Sequence, residues 1–214
     1  MENLDESFIL FVRTRIQKPE FRWHKVVELD PLLWPAKPQN EGSQNQKGAA
    51  AWEVPPDGLY KINCDASFHQ SNGIGKAAFV CRDARGSLIF AGCKEFCCRS
   101  AVVAEEAEAL REAVRFVEGI SWQSIFFEFD ALVVISSLAS HKDQTPWRIL
   151  SIVEEIANRS GKIFNVQFRH ISRESNKVAH RLSRNVGVLD FRGILYQAPS
   201  ILSNLLYEDI SPSQ

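Results

Sequence analysis

Leu59-Tyr60-Lys61-Ile62-Asn63-Cys64-Asp65-Ala66 reads as a β-strand. Successive side chains of a strand point to opposite faces, so Ile62 and Cys64 share one side and Lys61, Asn63 and Asp65 the other. Asp65 falls near the predicted strand end. A carboxylate on a covered face needs a cation, a hydrogen-bond donor or water. Taken alone, Asp65 reads better as the opening of a turn.

Downstream, short connections tie this strand to two more. Phe68-His69-Gln70-Ser71-Asn72-Gly73-Ile74-Gly75 reads as a hairpin connection, Lys76 to Cys81 as a second strand, Asp83-Ala84-Arg85-Gly86 as a turn, and Ser87 to about Phe96 as a third strand. Such spacing predicts an antiparallel meander. Gly73-x-Gly75 precedes no helix, so it reads as a turn and not as a phosphate loop.

Periodicity then changes. Val102, Val103, Ala109, Leu110, Ala113 and Val117 recur at helical spacing over about 101–118. Glu106 falls on this apolar stripe, whereas Glu105 shares a solvated face with Glu108 and Glu112. An acid on a buried stripe requires a reason. Ser124 to Asp130 reads as a fourth strand with Phe126, Glu128 and Asp130 on one face. Helical stretches follow at 131–138 and 146–159, then a fifth strand over 162–169 and a last helix over 174–185, with Ser172 as its N-cap. Asn176 and His180, four apart, share one side of that helix. The order βββαβααβα predicts an α/β fold: a mixed five-stranded sheet, three antiparallel strands then two parallel, with helices packed on it. Ligand sites in such sheets gather at the carboxyl ends of strands, which would set Asp65 and Asp130 side by side.

Composition bounds the alternatives. The 214 residues are 45% hydrophobic and 24% charged with net charge −1, so any nucleic-acid contact must come from a local patch. From Lys162 to Arg192 there are seven Lys/Arg and two acids, and Arg173, Lys177, Arg181 and Arg184 recur near helical spacing around His180. Such a stripe suits phosphates, or is an ordinary solvated helix face. Cys64, Cys81, Cys93, Cys97 and Cys98 lack a second cluster at zinc spacing and read as reduced thiols, which predicts an intracellular, reducing compartment. No secretory signal or membrane span is expected. Residues 1–51 read as an extension with a short helical pattern over 4–16 and a linker, 52–188 as the domain, and 189–214 as an irregular apolar tail that packs back or meets a partner.

Six stretches in this order resemble the type-1 ribonuclease H-like domain of plants, as found in retroelement reverse transcriptases and stand-alone relatives. They are Trp52-x-x-Pro55-Pro56, Lys61-Ile62-Asn63-Cys64-Asp65, Cys81-Arg82-Asp83-x-x-Gly86, Ala104-Glu105-Glu106-Ala107-Glu108-Ala109-Leu110-Arg111-Glu112, Phe127-Glu128-Phe129-Asp130, and His170-Ile171-Ser172-Arg173-Glu174-Ser175-Asn176-Lys177-Val178-Ala179-His180. The resemblance implies hydrolysis of the RNA strand in RNA–DNA hybrids. It implies Asp65, Glu106 and Asp130 as ligands of two Mg²⁺ ions, with Mn²⁺ as a substitute, and His170 as an auxiliary in proton transfer or product release. It also implies nucleic-acid contacts at Asn63, Ala66, Ser67, Asn176, Arg173, Lys177 and Arg181. Paired Mg²⁺ ions about 3.5–4 Å apart activate water and neutralise charge on the attacking and leaving oxygens. His180 stands where the family carries a fourth acid. Imidazole is a poor Mg²⁺ ligand, so the second ion is in question. The alternative reading is a catalytically weak or inactive nucleic-acid-binding module derived from a retroelement.

Overall fold

The computed structural model describes residues 52–69, 73–97, 102–120, 122, 124–139, 144–184, 193–198 and 200–210, with the side chains of 69, 102–106 and 201 outside that set. The helical pattern over 4–16 and the linker lie outside the described residues. Strands β1 (Tyr60–His69), β2 (Ile74–Arg82) and β3 (Leu88–Cys97) form the antiparallel meander. Helix α1 (Val102–Val117), β4 (Ile125–Phe129), α2 (Leu132–Ala139), α3 (Trp147–Ser160) and β5 (Val166–His170) follow. A 3₁₀ turn (Arg173–Asn176) leads into α4 (Lys177–Arg184), then β6 (Gly193–Leu195) and α5 (Ser200–Ile210). The strand order is β5-β4-β1-β2-β3-β6, with β4 and β5 parallel to β1 as the helical connections require.

The sheet has six strands where five were expected. The stretch read as an irregular tail supplies the sixth, Gly193–Leu195, along the outer edge of β3. It thereby covers backbone groups that an edge strand leaves unpaired. The tail also supplies α5, whose Leu202 and Leu206 are buried with Val178 and Leu182 of α4 and Ala78, Val80, Ala91 and Cys93 of the sheet. An eight-residue helix is too short to shield that face by itself.

The opposite face carries the main core. Ile62, Cys64, Phe127 and Phe129 meet Ala109, Leu110, Ala113 and Val117 of α1 and Ile149, Val153 and Ile156 of α3. Gly92 lets the Phe79 ring lie directly on β3; a Cβ there would stand 2.1 Å from that ring. Two expected boundaries move for local reasons. Asn165 adopts φ +47°, a left-handed conformation that asparagine tolerates, so β5 begins at Val166 and not at 162. The last helix opens as a 3₁₀ turn because the Ser172 hydroxyl accepts from Ser175 N at 3.3 Å, the cap expected at that position. No described helix is long and apolar enough to cross a membrane.

Candidate metal and nucleic-acid site

β1 does not end at Asp65; it continues to His69 against β2. Its pairing with β4 stops at Cys64–Phe129, and Asp130 leaves the sheet there. Asp65 is therefore the first β1 residue beyond the end of β4. The two aspartates flank one notch at the carboxyl edge of the parallel strands, because both chains run the same way and stop pairing at one level.

The side chains above the notch come from the turn 173–176 and from α4. The Asn176 amide donates to Cys64 O at 2.8 Å and to Asp130 Oδ1 at 3.1 Å, tying the end of β4 to β1. Its Oδ1 is buried with no partner among the described residues. Asp65 Oδ2 accepts from the Ser183 hydroxyl and from His180 Nδ1 at 3.3 Å. Since a carboxylate only accepts, Nδ1 carries the proton and His180 Nε2 is left as the acceptor. Arg173 Nη2 lies 3.0 Å from that Nε2 and 3.2 Å from Nδ1, so the guanidinium caps the imidazole. Its Nη1 is 3.9 Å from Asp130 Oδ2.

Burial pushes the Asp65 carboxyl above its ordinary range; the Ser183 hydrogen bond and His180 act against this, and the negative charge of Asp130 adds to it. Two neighbouring carboxylates, with an orphaned amide oxygen close by, are a donor set that suits a hard cation. Among the described residues no group of three or more His, Cys, Asp or Glu is arranged to hold a metal. Glu106 lies in α1, one helical turn before Leu110, and its side chain lies outside the described residues.

His170 ends β5, and its Nε2 is 3.2 Å from Asp130 O. A carbonyl only accepts, so Nε2 is the protonated nitrogen and Nδ1 keeps a lone pair. Lys177, Arg181 and Arg184 are exposed along one side of α4, and Arg173 is exposed at its approach. Lys177 and Arg181 line a 330 Å³ cavity between α4 and α5, with His180, Leu205, Glu208 and Asp209 on its walls.

Asn63 and Ser67 are placed away from any ligand surface. The Ser67 hydroxyl donates to Ser183 O, which fastens β1 to α4. Ala66 is partly buried against the main core. Asn63 is fully buried. It donates to Glu128 Oε2 at 3.1 Å and accepts from Arg82 Nη2 at 2.9 Å. It belongs to an interior network in which Lys61 Nζ meets Glu128 Oε1 at 2.7 Å, Trp52 Nε1 donates to Glu128 Oε2 at 3.1 Å, and Arg82 Nη1 meets Asp209 Oδ2 at 2.7 Å. The Arg82 guanidinium also lies 3.3 Å from the centre of the Trp52 ring. The network holds two cations and two carboxylates, so the buried charges balance. Ser183 was not singled out from the sequence; its spacing of three from His180 on one helix was the available signal.

Among solved structures, LC11-RNase H1, isolated from compost by a metagenomic approach, is 19% identical over 58% of this chain and 91% of its own, with a TM-score of 0.50. The same enzyme in complex with an RNA/DNA hybrid matches at 19% identity over 57% of this chain and 91% of that one, with a TM-score of 0.47. RNase H1 from the halophilic archaeon Halobacterium salinarum matches at 17% identity over 56% and 90%, with a TM-score of 0.46. No curated protein matches the chain. At 19% identity the likeness to LC11-RNase H1 is one of fold, and it fits the β-meander, α1 and the β4–β5 pair described above. The reverse transcriptase-like family matches residues 63–186, a span that takes in most of β1, all of β2 to β5, both aspartates and all of α4. With more than half of its length so matched, this chain belongs to the reverse transcriptase-like family and carries a ribonuclease H-like domain.

Proposed function

We propose that this domain binds RNA–DNA hybrids and hydrolyses their RNA strand with a divalent cation held by Asp65 and Asp130, joined by Glu106. The observation that carries the reading is the shared notch where β1–β4 pairing ends, with two carboxylates on its rim and exposed cationic side chains beside it. Hydrolysis joins a water oxygen to phosphorus and breaks one phosphorus–oxygen ester bond; one water proton ends on the leaving oxygen and the other goes to a base. A bound Mg²⁺ or Mn²⁺ supplies charge neutralisation and water activation. Asn176 fixes the Asp130 carboxylate, Ser183 and His180 fix Asp65, and the Nδ1 lone pair of His170 is placed to take a proton. Lys177, Arg181 and Arg184 contact phosphates along α4, so recognition is by backbone and shape more than by base.

The sequence resemblance to plant retroelement domains supports that origin as part of the proposal. The working unit is residues 52–210, because β6 and α5 complete the sheet and its second face. The buried, unbridged thiols of Cys64 and Cys81 support a reducing compartment. A second reading, a binding module without turnover, draws on His180 at the fourth acid position. Cleavage of a labelled RNA–DNA hybrid in Mg²⁺ and separately in Mn²⁺, with Asp65→Asn alongside, separates the two. Cleavage by the parent alone supports the nuclease. A parent that is folded and hybrid-bound but inert in both metals supports the module.

A further inference from the structure

We propose that Arg173, braced by His180, supplies the second positive charge of this site, so that the domain works with one bound divalent ion and a guanidinium. This rests on the nuclease reading above and deepens it. His180 is already engaged on two sides: Nδ1 faces Asp65 Oδ2 at 3.3 Å, and Arg173 Nη2 lies over the ring, 3.0 Å from Nε2 and 3.2 Å from Nδ1. The position that would hold a second ion's ligand is thus taken up in a chain of contacts, Asp65–His180–Arg173.

That chain ends on a cation at the site. Arg173 Nη1 lies 3.9 Å from Asp130 Oδ2, while Nη2 rests on the imidazole that meets Asp65, so the guanidinium stands beside Asp130 and reaches Asp65 through His180. Its side chain is 53% exposed, which leaves donors free to meet a phosphate oxygen. The backbone aims it there. Ser172 caps the 3₁₀ turn, and residues three apart on such a turn eclipse, so Arg173 falls in line with Asn176, which itself grips Asp130. A planar guanidinium presents paired donors to phosphate oxygens, so it can neutralise charge that builds there during hydrolysis. His180 is a positioning residue in this arrangement, and Arg173 is the group that touches the phosphate.

The test counts bound Mn²⁺ by electron paramagnetic resonance on the full chain without nucleic acid, and measures turnover on an RNA–DNA hybrid. The parent is expected to bind one Mn²⁺. Arg173→Ala is expected to keep one ion and a parent-like circular dichroism spectrum and melting curve. Its turnover should fall by about 10²–10³-fold, as for loss of a preorganised charge-stabilising donor, with a smaller rise in KM. Arg173→Lys should lose less, since charge remains. The pair Arg173→Ala with His180→Asp frees the position and adds a carboxylate, and it is expected to bind a second Mn²⁺ and recover turnover. Two ions on a cleaving parent, or full turnover by Arg173→Ala, would overturn this inference and leave the nuclease reading standing. A parent that binds no Mn²⁺ and cleaves nothing would remove both.

Discussion

Asp209→Ala is the substitution whose cost the structure specifies most directly. Asp209 lies on α5, 127 residues from Arg82, and their side chains are 3% and 1% exposed around a 2.7 Å contact. Removing the carboxylate leaves Arg82 Nη1 without its acceptor, beside an Nε that has no partner among the described residues. Burial already pulls the guanidinium's proton affinity down, and Asp209 is the main group opposing that. Leaving one partner of a buried pair alone costs about 3–5 kcal/mol. The chain can relieve this by lifting α5 to let water reach Arg82. That route gives up the burial of Leu202 and Leu206, about 3–6 kcal/mol for two leucine-sized side chains. Neither escape is cheaper, so we expect about 3–5 kcal/mol from a domain whose stability is on the order of 5–15 kcal/mol. Urea unfolding followed by far-ultraviolet circular dichroism would measure the loss, and amide exchange over 200–210 would tell a held α5 from a lifted one. The double variant Arg82→Met with Asp209→Leu removes both charges and should recover most of the stability. A loss under about 1 kcal/mol for Asp209→Ala, the range of exposed pairs, would mean that Arg82 is solvated and that α5 is not fixed by charge.

Other outcomes follow from single residues. Asp65→Asn should abolish hybrid cleavage with the fold intact; retained cleavage would refute the assignment. The same variant should melt higher than the parent near neutral pH in metal-free buffer. The raised folded-state pKa of Asp65 makes its ionisation costly, so stability falls as pH climbs from the unfolded carboxylate value of 3.8 through the folded one. The difference should therefore shrink on acidification toward 3.8 and reverse in saturating Mg²⁺, which the parent alone can bind fully. Asn176→Ala deprives Cys64 O and Asp130 Oδ1 of their donor, at about 1–3 kcal/mol by chemical denaturation. Gly92→Ala puts a methyl into the buried Phe79 ring and should cost about 1–3 kcal/mol on the same assay. Replacing Lys177 by Ala should lower the slope of log affinity against log salt for hybrid binding by roughly 0.7–0.9; an unchanged slope would take α4 out of the interface.

Most of the element order was legible from periodicity alone. Ile62 and Cys64 against Lys61, Asn63 and Asp65 marked the two faces of β1, and Ala109, Leu110, Ala113 and Val117 marked the inner side of α1, because burial imposes a period on any regular element. The meander and the parallel β4 followed from connection lengths. The adjacency of Asp65 and Asp130 followed in turn, since parallel neighbours stop pairing at a common level. Partners drawn from distant parts of the chain were not legible. Alternation says that Asn63 points away from the apolar core but not that Arg82 and Glu128 take its amide; the resemblance implied a ligand contact where there is an interior network. Nothing local in 193–210 marks a strand that closes β3 or a helix whose Asp209 neutralises Arg82. His180 read as a lost acid, whereas the packing of α4 over β1 places it between Asp65 and Arg173. Sequence determines which face a residue is on, because that depends on its neighbours in the chain. Only the tertiary structure decides what a buried charge is paired with, because the pair forms through space between residues far apart in the chain, 127 positions for Arg82 and Asp209.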